Sequence, residues 1–371
     1  MKLIKEPALT FDDVLIEPAW SDVSSRDEID LSSEFLGLTL RLPIISANMD
    51  YITEDAMAHG MWEAGGIGIL HRFADLADEA HNQKIQRKWI EALSASATPV
   101  IISVGVRHPE ATMAWLASLD MTKIHAICLD VAHGHMQKVL DLVSKIRVAY
   151  PGTYIIAGNV ATPDGYEALA KAGANAIKAG VGAGAVCTTR VVTGIGVPQL
   201  SAIMECAERR DKLSQKTNLI ADGGIRGSGD IVKALAAGAD TVMLGRMLAG
   251  AQECPGNFMV SMHQSADGTR TIFSGPTPEG MIGDGGKIFR PYRGSSTLGA
   301  NSARSAKEGV SGWVESQGPV REILKHLTEG VRSGMSYVGA RTLPELRDKA
   351  VFRQVLATSL AESGPRVKTS L

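Results

Sequence analysis

Eight short apolar runs, each separated from the next by a longer stretch, restrict the folds open to this chain more than any other feature. They are PIISAN (43–48), GIGIL (66–70), VIISVG (100–105), AICLDV (126–131), YIIAGN (154–159), AIKAG (176–180), LIADGG (219–224) and TVMLGR (241–246). Consecutive apolar, β-branched positions mark strands covered on both faces, as in a parallel sheet. Between them, DAMAHGMWEAG, HPEATMAWLASL, DGYEALAKAG and SGDIVKALAAG repeat their apolar residues at three and four, and several stop at glycine, as helices do. Eight strand–helix units in succession predict an α/β fold of the closed (β/α)8 kind, a TIM barrel. An open doubly wound sheet is the alternative, but no GxGxxG comes after the first run. With 371 residues, 44% of them hydrophobic, the chain has core enough for one such barrel, and residues 1–371 read as a single catalytic domain.

Residues 252–318 break the pattern. QSADGTRTIFSGPTPEGMIGDGGKIFRPYRGSSTLGANSARSAKEG is rich in Gly, Ser and Pro and carries no helical period, so a long irregular flap after the eighth strand is expected. Helical spacing returns in PVREILKHLTEGVRSGMSYVG and TLPELRDKAVFRQVL, and the tail SGPRVKTSL reads as a loose end.

A formal charge of −2 supplies no field for nucleic acid or an acidic membrane. The N-terminal MKLIKEPALTFDDVL lacks the apolar run of a signal peptide, and no stretch reaches ~18 uninterrupted apolar residues. Cys128, Cys187, Cys206 and Cys254 form neither a CxxC pair nor a disulfide-dense pattern, which points to a reducing cytoplasm.

Most of the runs end in small or polar residues: Asn48, Gly105, Asp130, Asn159, Gly180, Asp222 and Gly245. In barrel enzymes that end carries the chemistry. After the sixth run comes GAGAVCTTR (182–190), which sets Cys187 among glycines and hydroxyls, with Thr189 and Arg190 behind it. A lone cysteine is usually a small buried hydrophobe. Here the rim position and flanking glycines favour an accessible thiol, and Arg190 with nearby backbone N–H groups would favour the nucleophilic thiolate. The loops after the seventh and eighth runs, ADGGIRGSGD (221–230) and MLGRMLAG (243–250), suit the phosphate of a nucleotide monophosphate, with Asp222 on its ribose. A bare GG can also be only a tight turn. Asp130 and Asn159 are either site residues or helix caps. HGH at 133–135 is a weak acid/base or metal candidate.

GAGAVCTTRVVTGIGVPQLSAIMECAE, ADGGIRGSGDIVKALAAGAD, VMLGRMLAG, LTFDDVLIEP, SANMD and AGNVAT resemble the inosine-monophosphate dehydrogenase / guanosine-monophosphate reductase family, from about Leu9 to the C-terminal helices. The resemblance implies that Cys187 attacks purine C2, with Thr189 and Glu308 as its catalytic partners. It implies further that Asp222, Gly223, Gly224, Gly245, Arg246, Tyr292, Gly294, Ser295 and Gly309 bind the purine nucleotide monophosphate. Asp130, Asn159 and Ala132 would lie on the nicotinamide side, and the carbonyls of Gly182, Gly184 and Cys187 would form a loop for a monovalent cation, K+. A homotetramer is implied too. Where Ala185 stands the family has serine, so one phosphate contact is missing. Many dehydrogenases of the family carry an inserted regulatory domain pair after the second strand; the stretch 71–99 leaves no room for one.

The two branches of the family diverge after the covalent step. A dehydrogenase hydrolyses its intermediate, using an Arg–Tyr pair on the flap; between Gly294 and Glu308 this chain has Arg304 and no tyrosine. A reductase expels ammonia with the help of a Thr–Glu pair, which Thr189 and Glu308 match. The resemblance is therefore read as NADPH-dependent reduction of GMP to IMP and ammonia. The alternative is an IMP dehydrogenase that uses NAD and lacks the insertion, and it has RPYRG and EGVSGWV in its favour. A catalytically silent nucleotide-binding regulator is disfavoured by the retention of Cys187, Thr189 and Glu308.

Overall fold

The computed structural model describes residues 3–75, 78–256, 259–264, 270–274, 287–294, 308–356, 358–359 and 362–363. Eight strands alternate with helices. In chain order they are β1 (Ile44–Ser46), β2 (Ile67–Gly68), β3 (Ile101–Val104), β4 (Ala126–Asp130), β5 (Tyr154–Val160), β6 (Ala176–Ala179), β7 (Asn218–Asp222) and β8 (Thr241–Leu244). Their order in the sheet is β2-β1-β8-β7-β6-β5-β4-β3, and every pairing is parallel. A parallel bridge between Leu70 and Ile102 joins the two ends, with Leu70 N–H donating to Ile101 O at 2.9 Å and Ser103 N–H to Leu70 O at 3.1 Å. The sheet closes into a (β/α)8 barrel, as the eight runs require.

Alternation along each strand sorts the side chains into two cores. Outward residues such as Ile44, Ile127, Leu129, Ile155, Ile177 and Leu219 pack under the surrounding helices. Inward residues, Ile45, Ile101, Ala126, Cys128, Ile156, Ala176, Ile220 and Met243, fill the lumen together with Phe35, Leu36 and Leu40 of a hairpin, Ser33–Phe35 and Leu38–Leu40, that plugs one end. Two residues further along the same inward faces the chain places Asp130 after Cys128, Lys178 after Ala176 and Asp222 after Ile220. The lumen thus changes from apolar to charged at the C-terminal ends of the strands.

Two expectations are corrected. The segment 252–318 is not without regular structure: its described parts include Met259–Gln264 (β9), Arg270–Ser274 (β10), Lys287–Arg293 (β11) and Ser311–Glu315 (β12), an antiparallel sheet in the order β10-β9-β11-β12. Partner strands supply what the Gly-rich sequence does not advertise, since strand formation depends on neighbours as much as on propensity. TLPELRDKAVFRQVL is helical only over Leu343–Lys349; Phe352–Gln354 then pairs antiparallel with Val14–Ile16. Flap residues 295–307, including Ser295 and Arg304, and the tail beyond 363 lie outside the described residues.

Candidate active site

Of the four free cysteines only Cys187 is partly exposed. Burial pushes the thiols of Cys128, Cys206 and Cys254 up to about 12, which leaves them protonated and inert. Cys187 lies between β6 and a short helix, Thr189–Thr193, and its amide donates to Gly184 O at 3.0 Å. Its Sγ donates to Thr189 Oγ1 at 3.2 Å, and that hydroxyl donates to Glu308 Oε2 at 2.7 Å.

Backbone contacts bring Glu308 there. Cys187 and Gly309 form an antiparallel bridge, Thr188 N–H donates to Glu308 O at 3.1 Å, and Val310 N–H donates to Val186 O at 3.0 Å. Gly294 N–H in turn donates to Val310 O at 3.2 Å, which ties the end of β11 to the same segment. The base of the flap sheet is held to the barrel by Arg293, whose Nε donates to buried Asp50 at 2.5 Å in the SANMD loop after β1. Thiol, hydroxyl and carboxylate therefore form one proton path. Arg190 takes no part in it: its guanidinium donates to the carbonyls of Val181 and Val197 and secures the base of the loop.

The nucleotide-side candidates surround this path. Gly223 and Gly224 have φ of +101° and +79°, a left-handed turn that side chains resist. The turn packs against the cysteine loop, since a Cβ on Gly223 would come within 3.2 Å of Gly184 N. Beyond β8, Gly245 lies against the hydroxyl of buried Tyr292, and Arg246 opens a 3-10 turn with its side chain exposed. Burial pushes the Tyr292 phenol up to about 12, so it remains a hydrogen-bond donor.

Asp130 and Asn159 are not helix caps; the helices after β4 and β5, Gln137–Ala149 and Pro163–Ala172, have Met136 and Thr162 at that position. A register shift in β5 between Gly158 and Val160 re-aims Asn159, whose Nδ2 donates to Asp222 Oδ2 at 2.8 Å and Gly180 O at 2.9 Å. Ala132 is exposed beyond β4, on a loop with His133 and His135. Among the described residues no group of three His, Cys, Asp or Glu is arranged to hold a metal ion. Gly182 lies over Arg190, and the Gly184 carbonyl accepts the Cys187 amide.

Lys178 carries no signal of its own in the sequence pattern beyond one: a lysine inside the apolar run AIKAG is a conspicuous break. Its side chain is 3% exposed, with Nζ 3.6 Å from Asp222 Oδ2, 3.7 Å from Asp130 Oδ1 and 3.5 Å from Asn48 Oδ1. Burial favours the neutral amine, but Cys128, Asp222 and Asp130 together outweigh it and hold the ammonium above the ordinary lysine range.

The sequence profile of the IMP dehydrogenase / GMP reductase domain matches residues 8–366. An inosine-5'-monophosphate dehydrogenase of Nitrosopumilus maritimus (strain SCM1) is 31% identical to this chain, over 96% of the chain and 98% of the relative. Proteins of the same name from Aquifex aeolicus (strain VF5) and Bacillus subtilis (strain 168) are each 32% identical, over 98% of this chain and 96% of theirs. The first alignment runs to 489 positions, more than the 371 residues here, so that relative carries residues inside the match that this chain lacks. A barrel with a nucleophile candidate on its catalytic rim, matched over nearly its whole length, places the chain: it belongs to the IMP dehydrogenase / GMP reductase family, an oxidoreductase family.

Proposed function

We propose that the protein oxidises IMP to XMP with NAD, through a covalent bond between Cys187 and purine C2. The observation that carries this reading is the path from Cys187 Sγ through Thr189 Oγ1 to Glu308, which ends in a carboxylate able to accept a proton. The dehydrogenase names of the relatives support this branch over the reductase read from the sequence.

In the first step Thr189 and Glu308 draw the proton from the thiol, and sulfur adds to C2 of the hypoxanthine. NAD, when bound beside C2, would supply the hydride acceptor. Residues beside Asp130 suit such a polar ligand: Arg72 Nε is buried without a hydrogen-bond partner, and Ala132 leaves the rim open. Once the pair has released the thiol proton to solvent, water attacks C2, the freed hydroxyl–carboxylate pair takes its proton, and Cys187 departs as thiolate, to be reprotonated along the same path. IMP, NAD+ and water become XMP, NADH and a proton. Asp222 would accept the ribose hydroxyls, while the Gly223–Gly224 turn and the loop at Gly245 and Arg246 would hold the phosphate. The same reading assigns the carbonyls of Gly182, Gly184 and Cys187 to a K+ loop and the whole chain to a homotetramer.

GMP reduction with NADPH stays in contention on one observation. A protonated Glu308 would reverse the path and protonate departing ammonia, and Gly294–Glu308 contains no tyrosine for an Arg–Tyr pair. The deciding experiment supplies IMP with NAD, and GMP with NADPH, in water enriched in oxygen-18. XMP carrying one heavy oxygen, with one NADH per XMP, is expected. Ammonia and IMP from GMP, with no XMP from IMP, would overturn the dehydrogenase reading.

A further inference from the structure

Lys178 is the most deeply buried charged side chain of the site, and the chemistry above makes no use of it. It projects from β6 to within 3.7 Å of side chains on β4 and β7 and of Asn48 just beyond β1, so one ammonium meets three other sectors of the barrel. The groups facing it are the carboxylates of Asp130 and Asp222, the amide of Asn48 and the neutral thiol of Cys128. Behind them stand Arg72, with Nε 3.7 Å from Asp130, and Tyr292, near enough to Asp222 to feel its charge. Asp222 belongs to the nucleotide side of the site and Asp130 to the cofactor side. Removing the ammonium would leave Asp130 and Asp222, each within 3.7 Å of it, without the cation they share, the arrangement in which one of two like charges tends to hold a proton.

We propose that Lys178 is a positioning residue that keeps Asp222 and Asp130 ionised together, so that the nucleotide side and the cofactor side are competent over the same pH range. A buried lysine that served only as packing would fill the same volume without setting the protonation of its neighbours. The inference rests on the reading of Asp222 as the ribose ligand, and the test separates the two.

Binding of IMP by the wild-type protein and by Lys178→Met is measured by calorimetry from about pH 6 to about pH 9. At the acid end the variant should bind about tenfold more weakly than wild type, and by the alkaline end the gap should shrink to about threefold, as the shared proton leaves. Adding Asp130→Asn to the variant removes the competing carboxylate and should bring the gap at about pH 6 down to about threefold. A gap that is the same at both ends of the range and untouched by Asp130→Asn would overturn the proposal. Should Lys178→Met not fold, Asp130→Asn is compared with Asp130→Asn/Lys178→Met; a difference below about threefold at about pH 6 is expected, and a tenfold difference overturns it. If wild type binds neither IMP nor GMP, the nucleotide reading falls by itself. Lys178 is then judged on the free protein by carbon-13 NMR of labelled aspartates. A carboxyl titrating about one pH unit or more higher in Lys178→Met supports the proposal, and an unchanged titration overturns it.

Discussion

The floor of the site and its nucleophile are built by different means. Asp130 and Asp222 end strands of a closed parallel ladder and Lys178 stands one residue before the end of another, so their spacing is set by the barrel register itself. Cys187 and Glu308 lie outside the barrel strands and Thr189 opens a short helix; the backbone hydrogen bonds from Thr188 to Glu308 and from Val310 to Val186 bring them together. The first half is rigid because the fold is; the second exists only while two distant loops stay in contact. On the reading proposed above, the reacting thiol and its proton path fall in the looser half.

This contrast can be broken at several points. The largest effect should come from Cys187→Ser, which retains the loop but replaces the nucleophile. Turnover should fall at least a thousandfold, about 4 kcal/mol in barrier, with IMP affinity little changed; a variant keeping a tenth of wild-type kcat would refute covalent catalysis. Gly180→Ala attacks the rigid half instead. Its Cβ would lie 1.9 Å from Asp222 O at a φ of +149°, so thermal unfolding should reveal a loss of about 3 kcal/mol. A shift within error of zero would mean that the floor yields more readily than a barrel should.

Glu308→Gln removes the proton acceptor but preserves the shape of the loops. We expect kcat to drop about a hundredfold while IMP affinity and thermal stability stay near wild type; parallel losses of kcat, affinity and stability would show that Glu308 holds the loop rather than the proton. Asp222→Ala should weaken IMP binding by about 2 kcal/mol through loss of a charge-assisted hydrogen bond. Unchanged affinity would move the ribose elsewhere. The smallest effect belongs to Thr162→Ala, outside both halves. Thr162 caps Pro163–Ala172 by accepting from Gly165 N–H at 3.3 Å, and its loss should cost about 1 kcal/mol of stability with kcat unaltered.

The strands are legible in the sequence because burial on both faces writes itself as uninterrupted apolar runs. Asp222 is legible because it closes such a run in front of two glycines, and Cys187 because it follows one in a glycine-rich loop, combinations that a core does not need. Lys178 is marked only as the one charge in an otherwise apolar run, and nothing in the run says which carboxylates it will meet across the barrel. Arg190 misleads for a different reason. Adjacency in sequence suggests adjacency in space, but the short helix beginning at Thr189 turns the guanidinium under the loop towards Val181 and Val197. The flap strands escape notice because each is stabilised by a neighbour outside its own sequence window, as Phe289 opposite Glu315 and Tyr292 opposite Gly312 illustrate.

The hydrogen bond between Thr189 and Glu308 joins residues 119 positions apart. A contact that spans so much chain closes a long loop and is among the later ones to be secured during folding. On a ribosome the cysteine emerges, and its strand is laid down, well before its carboxylate partner has been synthesised. Cys187 therefore passes through early folding without the carboxylate end of its hydrogen-bond chain. The path proposed above is complete only when the last third of the polypeptide has docked, so activity would double as a readout of finished assembly.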